Sequence, residues 1–224
     1  MTTKDRRPPP ITWRTIKVWR PRRRHQGLIA GSAIVTVLVA AIAVAGADRD
    51  SGTADATVPG GAYASAEADH SPKGAQRAAA AMVVALGSEA MYRPEDRHAL
   101  LRRIGDPATL DQHQRDYDKD YSPAFNRKVG LDADGIAPAG SEFVTRMAPV
   151  GTSVPAYTEQ QATVAVWSHA LFKTVDETKP TADWYTVTVK LTWTSSGWRM
   201  LDSSQTDGPT PDEAAGRYGQ APPL

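Results

Sequence analysis

One uninterrupted apolar run decides how the rest of this chain is read. Residues 27–47, GLIAGSAIVTVLVAAIAVAGA, hold no charge, amide, proline or aromatic ring. As a helix the run is about 31 Å long at ~1.5 Å per residue, enough to cross the hydrocarbon core of a bilayer. A buried helix of a small soluble domain has no need of apolarity on every side. The run therefore predicts a transmembrane anchor. A cleavable signal peptide competes with it, because Ala43-Val44-Ala45 and Ala45-Gly46-Ala47 satisfy small-x-small. The run exceeds the ~7–15 residues of a signal core, and its basic lead is long, which favours the anchor. Arg22, Arg23 and Arg24 are followed by His25-Gln26-Gly27, not by the apolar pair of a twin-arginine signal.

The flanks set the orientation. The formal net charge of +1 hides two opposed regions: residues 1–26 carry nine Lys/Arg against one Asp, and the remainder seventeen against twenty-four Asp/Glu. Arg14, Lys17, Arg20, Arg22, Arg23 and Arg24 crowd the N-terminal side of the run, while Asp48 and Asp50 follow it. The positive-inside bias then keeps the N-terminus in the cytoplasm and exports everything after residue 47. Trp13 and Trp19 suit the headgroup layer, so these eight residues form the expected membrane-interface set. The basic cluster meets anionic lipid in this reading; no nucleic-acid motif is interleaved with it, and no direct nucleic-acid contact is expected. Gly27 and Gly31 form a GxxxG, a spacing that lets two helix backbones meet, which makes them the candidate helix–helix contact and a homo-oligomer an open expectation.

Residues 48–70 are rich in Ala, Gly, Ser, Thr and Asp and contain no Leu, Ile, Phe or Trp, so they read as a flexible linker with a reach of about 25 Å. Residues 205–224, with four prolines and three glycines, read as a disordered tail. The expected folded domain is 71–204. Its first half carries helical signals. Ser71-Pro72 is a start, with Ala75, Ala78, Ala79, Met82, Val83 and Leu86 on one stripe and Gly87 as its end. Pro94 begins a second helix, with Leu100, Leu101 and Ile104 buried and Gly105 as stop; Asp106-Pro107 begins a third, with Leu110, His113, Tyr117 and Tyr121 at helical spacing. The second half changes period. Residues 143–150, 161–172 and 184–194 read as strands, and Ser195-Ser196-Gly197 turns the last into a hairpin with 198–201. Tyr185, Val187, Val189, Leu191 and Trp193 alternate with Thr186, Thr188, Lys190 and Thr192, as on a half-buried antiparallel strand. About three helices on about four antiparallel strands make an α+β domain.

The order of these strings is distinctive: Ala78-Ala79-Ala80-Ala81, then Leu100-Leu101, then strands closed by Gly197-Trp198-Arg199-Met200-Leu201 and Gly208-Pro209. It resembles the nuclear-transport-factor-2-like fold, a curved sheet with helices packed on it. With the basic arm and the anchor, the chain is similar to membrane-tethered proteins of actinobacterial conjugative elements and to assembly factors of type IV secretion. Thirty-five Ala and eighteen Arg against eight Lys suit a GC-rich, actinobacterial coding habit. The return strand in such proteins typically reads Gly-Asp-Trp-Arg/Lys-Leu, from which Ser196-Gly197-Trp198-Arg199-Met200 departs slightly. The resemblance implies a scaffold among the membrane proteins of a DNA-transfer channel, with no catalytic residues.

The chemistry-bearing residues agree with a non-enzymatic reading. The absence of cysteine excludes disulfides, thiolate metal sites and a thiol nucleophile. Asp116, Asp118 and Asp120 alternate like the opening of a calcium loop, but the sixth position is Tyr121 rather than Gly and the twelfth is Arg127. Asp132-Ala133-Asp134-Gly135 reads as a turn. The five histidines show no metal-ligand spacing, so neither metal nor cofactor is expected. His169 and Asp202 are the one pair that a pocket in this fold would bring together as acid and base; an anchored ligand-binding module is the alternative function, and an isomerase-like enzyme the third. The tryptophans 167, 184, 193 and 198, with Tyr185, are expected between sheet and helices.

Overall fold

The computed structural model describes residues 69–223, and the apolar run, the membrane-interface residues and Gly27/Gly31 lie outside them. Among the described residues no helix is long and apolar enough to cross a membrane. The domain is α+β. Helix α1 (Pro72–Leu86) is capped by Ser71, whose hydroxyl accepts from the Gly74 amide at 3.0 Å, with Pro72 at the first position where no amide partner is needed. A 3₁₀ turn (Glu89–Tyr92), α2 (Pro94–Ile104), α3 (Leu110–Asp120) and α4 (Pro123–Lys128) follow. The strands are β1 (Val144–Tyr157), β2 (Gln161–Lys173), β3 (Thr181–Thr194) and β4 (Gly197–Asp207), then a one-turn helix α5 (Pro211–Ala214) and β5 (Gly219–Gln220). They form one antiparallel sheet in the order β4-β3-β2-β1-β5.

The sheet buries one face under the helices, and its alternation shows which. On β2, Ala162, Val164, Val166, Ser168, Ala170 and Phe172 are buried, and the register partners of the first four on β3 are Leu191, Val189, Val187 and Tyr185. These β-branched cross-strand pairs form a ladder down the centre of the domain. Helix α1 packs on it and on β1 through Ala75, Ala78, Ala79, Met82 and Val83, each at most 1% exposed. Small side chains bring the helix close to the sheet. A second apolar centre joins helices to sheet through rings: Tyr92 lies edge-on to Tyr121 at 5.0 Å and to Phe143 at 4.7 Å, and Phe143 edge-on to Phe172 at 5.6 Å.

Several boundaries differ from the sequence reading, each for a physical reason. Asp69 and His70, read from sequence as linker, make contacts with the domain: the Trp198 indole donates to the Asp69 carbonyl at 3.1 Å, Arg77 pairs with the Asp69 carboxylate, and the His70 ring stacks on Trp193 at 4.0 Å. A fourth helix forms after Ser122-Pro123, a start signal that the sequence contains but that is followed by too short a periodic stretch to be recognised. Strand β1 continues past residue 150 to Tyr157. Pro149 and Pro155 fall at its two register shifts, where the missing amide costs no ladder bond. The tail is not disordered from residue 205: β4 runs to Asp207, and residues 208–220 cross the outer face of the sheet to add β5 to β1. The tryptophans also divide. Trp198 is fully buried on the helix side, whereas Trp167 and Trp184 stack on the opposite face at 4.5 Å, beneath the tail.

The close approach of α1 generates a test. Ala79→Leu inserts three heavy atoms at a fully buried helix–sheet contact and is expected to lower the unfolding free energy by about 1–3 kcal/mol. The urea midpoint should fall while the denaturant dependence is unchanged.

Candidate functional site

Between α1, the 3₁₀ turn, α3 and the inner sheet face lies a pocket enclosing about 620 Å³ of non-atom space, its open mouth included. Its walls are mostly apolar, with Val83, Leu86, Met147, Ala170 and Val187, and three tyrosines, Tyr92, Tyr117 and Tyr121, line its helical side. Tyr117 and Tyr121 reach it because they lie four apart, one at the last turn of α3 and one at its cap, on the buried stripe. The Tyr117 and Ser203 hydroxyls are 3.2 Å apart in the buried interior, and the Thr145 hydroxyl donates to the Gly87 carbonyl at 3.1 Å. Burial pushes the Tyr117 phenol up to about 12 and raises those of Tyr92 and Tyr121 well above the usual phenol value, so all three stay neutral donors. One inward position before Ala170, the fully buried Ser168 hydroxyl has no hydrogen-bond partner among the described residues.

His113 stands behind the same helix face. It is 3% exposed, and its Nε2 lies 3.0 Å from the Leu201 carbonyl; a carbonyl only accepts, so Nε2 carries the proton. Desolvation lowers its pKa, against the opposing pull of that carbonyl and of Asp202, Asp116 and Asp106.

The acid–base pair that the sequence suggested does not assemble. His169 pairs in register with Trp184, and Asp202 with Lys190, six residues further along β3 or about 20 Å at ~3.4 Å per residue. Neither lines the pocket. The His169 ring instead tilts against Trp184 at 4.8 Å, and the Asp202 carboxylate meets the Lys190 ammonium at 3.3 Å. Asp116, Asp118 and Asp120 belong to α3, where alternate residues face different directions. Asp116 accepts from Gln112 at 2.9 Å. Asp118 bridges two neighbours, accepting from the buried Arg97 at 2.7 Å and meeting His98 at 2.8 Å; burial opposes its ionisation, but these hydrogen bonds together hold its pKa below the usual value. Arg97 also donates to the Met91 carbonyl at 2.7 Å, so this cluster fastens α2 to α3 and to the 3₁₀ turn. Residues 132–135 form a turn, with the Asp132 carboxylate accepting from the amides of Asp134 and Ile136. Among the described residues no three His, Asp or Glu side chains gather to hold a metal ion.

Sequence reasoning found Tyr117 and Tyr121 as stripe residues but not as pocket walls, and it missed Tyr92, Thr145 and Ser203. Their partners are 29, 58 and 86 positions away, beyond the reach of any local pattern.

The buried imidazole makes stability depend on pH. Its folded pKa is depressed, so between that value and the unfolded ~6.5 the unfolded chain binds a proton that the native chain refuses. The contribution is therefore present above ~6.5 and is lost as pH falls towards the folded value. The melting temperature is expected to drop from pH 7 to pH 5, and less steeply in His113→Gln.

The sequence matches no protein-family model and no curated protein. Among solved structures it is similar to one described as the crystal structure of the intermembrane space region of chloroplast protein ARC6, at 17% identity over 60% of this chain and 95% of that chain, with a TM-score of 0.37. At that score the likeness carries no argument about function.

Proposed function

We infer that this chain is a single-pass membrane protein, its N-terminus cytoplasmic and its α+β domain outside, that works as a structural and assembly component through contacts of that domain. The observation that carries the reading is the uncharged run 27–47, preceded by nine basic residues and followed later in the sequence by the residues of an α+β domain, described from Asp69 onward. Helices layered on one face of an antiparallel sheet support a nuclear-transport-factor-2-like assignment. The resemblance to conjugative-element and type IV secretion proteins supports a place in a DNA-transfer apparatus, with the bilayer, channel membrane proteins and further copies of the chain as partners. In this reading it binds no nucleic acid or cofactor and catalyses nothing. Tethering concentrates weakly binding surfaces near one plane, so that weak contacts suffice to assemble a complex.

A second reading, an anchored ligand-binding module, is favoured by the tyrosine-lined pocket and the unpartnered Ser168 hydroxyl beside it. A small molecule that co-purifies with the chain and is lost in Ala170→Phe would support that reading.

In donor cells the full chain is expected to stay in the membrane pellet at alkaline pH, to lose its domain when protease is added to spheroplasts, and to crosslink to other membrane proteins. Deleting it is expected to lower element transfer markedly, because the avidity of its tethered contacts, on the order of 10²–10⁴-fold, is lost with it. Transfer at wild-type frequency, or a mature chain beginning near Asp48 in the medium, would sink the reading.

A further inference from the structure

The walls of the tyrosine-lined pocket restrict the chemistry of what it can hold. Its sheet floor is made of small side chains. On β2 the inward Val164 and Val166 give way to Ser168 and Ala170, and on β4 the inward Met200 gives way to Ser203. The hollow lies where these small residues leave room beneath the rings of α3. The register puts Ser168 in that floor. Its β3 partner is Tyr185, and its nearest inward neighbours include two wall residues, Ala170 on β2 and Val187 on β3.

No charge faces the hollow. Among the described residues of the wall only Arg146 is charged. It is exposed, and strand alternation turns it to the outer face, opposite its inward neighbour Met147. The Arg97 guanidinium stands 5.8 Å over the Tyr121 ring, but Asp118 and the Met91 carbonyl hold it there. An anion or a cation entering the hollow would give up its water and meet no counter-charge, a cost that a neutral molecule escapes.

Hydrogen-bonding capacity is left over in the same place. The Tyr117 and Ser203 hydroxyls carry two protons, and the bond between them uses one. At 3.2 Å that bond is longer than the about 2.5–3.0 Å usual for two hydroxyls, so the pair gains by turning a proton to a better acceptor. The Ser168 hydroxyl has no partner at all among the described residues.

We propose that this pocket binds an uncharged ligand with an apolar body and one strong hydrogen-bond acceptor, a ketone or an ester, whose oxygen accepts from the Tyr117–Ser203 pair. The inference rests on the ligand-binding reading of the pocket and names the class of molecule that enters it.

The full chain in detergent micelles is dialysed against 2-acetylnaphthalene and against 2-ethylnaphthalene, which has a similar body without the acceptor. Empty micelles give the background. The ketone is expected to bind above it, about five-fold more tightly than the ethyl compound, the worth of one neutral hydrogen bond. At neutral pH 2-naphthoate and 2-naphthyltrimethylammonium are expected at background. Ala170→Phe fills the hollow and should abolish binding of the ketone. Tyr117→Phe with Ser203→Ala removes both hydroxyls together and strands no buried group, so the ketone should lose its advantage while the ethyl compound binds as before. A melting curve establishes that each variant is folded, and the four-compound comparison on the native chain needs no variant. Equal affinity for the ketone and the ethyl compound, or preference for either ion, overturns the class and leaves a ligand site standing. A folded double variant that keeps the ketone's advantage overturns the assignment to Tyr117 and Ser203. If none of the four binds but a molecule co-purifies, an uncharged acceptor supports the class and a charged molecule overturns it. If none binds and nothing co-purifies, the ligand-binding reading falls and the class with it.

Discussion

The contact between α1 and the valine ladder of β2 and β3 is the constraint on which the rest of the domain depends. An α-helix rich in alanine has little apolar volume of its own, and it gains by approaching a flat surface closely. Val164, Val166, Val187 and Val189 provide that surface, and all four are buried. This close seating leaves the other end of the helix layer to be filled by rings. Tyr92, Tyr121, Phe125 and Phe143 do so edge to face, and the gap they leave against Met147, Ala170 and Val187 is the pocket. The pocket is thus a result of unequal packing, tight under the alanines and looser under the tyrosines.

What the sequence disclosed follows from the range of the interactions. The α1 start at Ser71-Pro72, the stop at Gly105, the inward alternation of β3 and the Ser195-Ser196-Gly197 turn are settled by residues a few positions apart, and they appear in the structure. The pocket and the outer aromatic stack are not local. Trp167 meets Trp184 across β2 and β3 and then Tyr218 from the far end of the chain, and nothing in the string SHALF or WYTVT announces which face an indole takes.

Composition misled most at the C-terminus. Four prolines and three glycines in twenty residues describe a segment that cannot form a long element, and the inference to disorder followed from that. The segment is instead held by pairings to side chains already fixed by the sheet: an indole, a threonine hydroxyl and a glycine with room above it. A peptide poor in periodic structure becomes ordered when the surface beneath it supplies the partners. His169 and Asp202 show the converse. Both are chemically suggestive, and the strand register sets them far apart.

Asp69 has a mechanical consequence. Its carbonyl is gripped by the indole of Trp198 and its carboxylate by Arg77, so this residue is fastened both to the sheet and to the first helix. Traction arriving along the backbone from the N-terminal side is shared between these two layers at the point of entry. It does not peel α1 away from its first turn. The domain behaves as a bead strung by a reinforced eyelet.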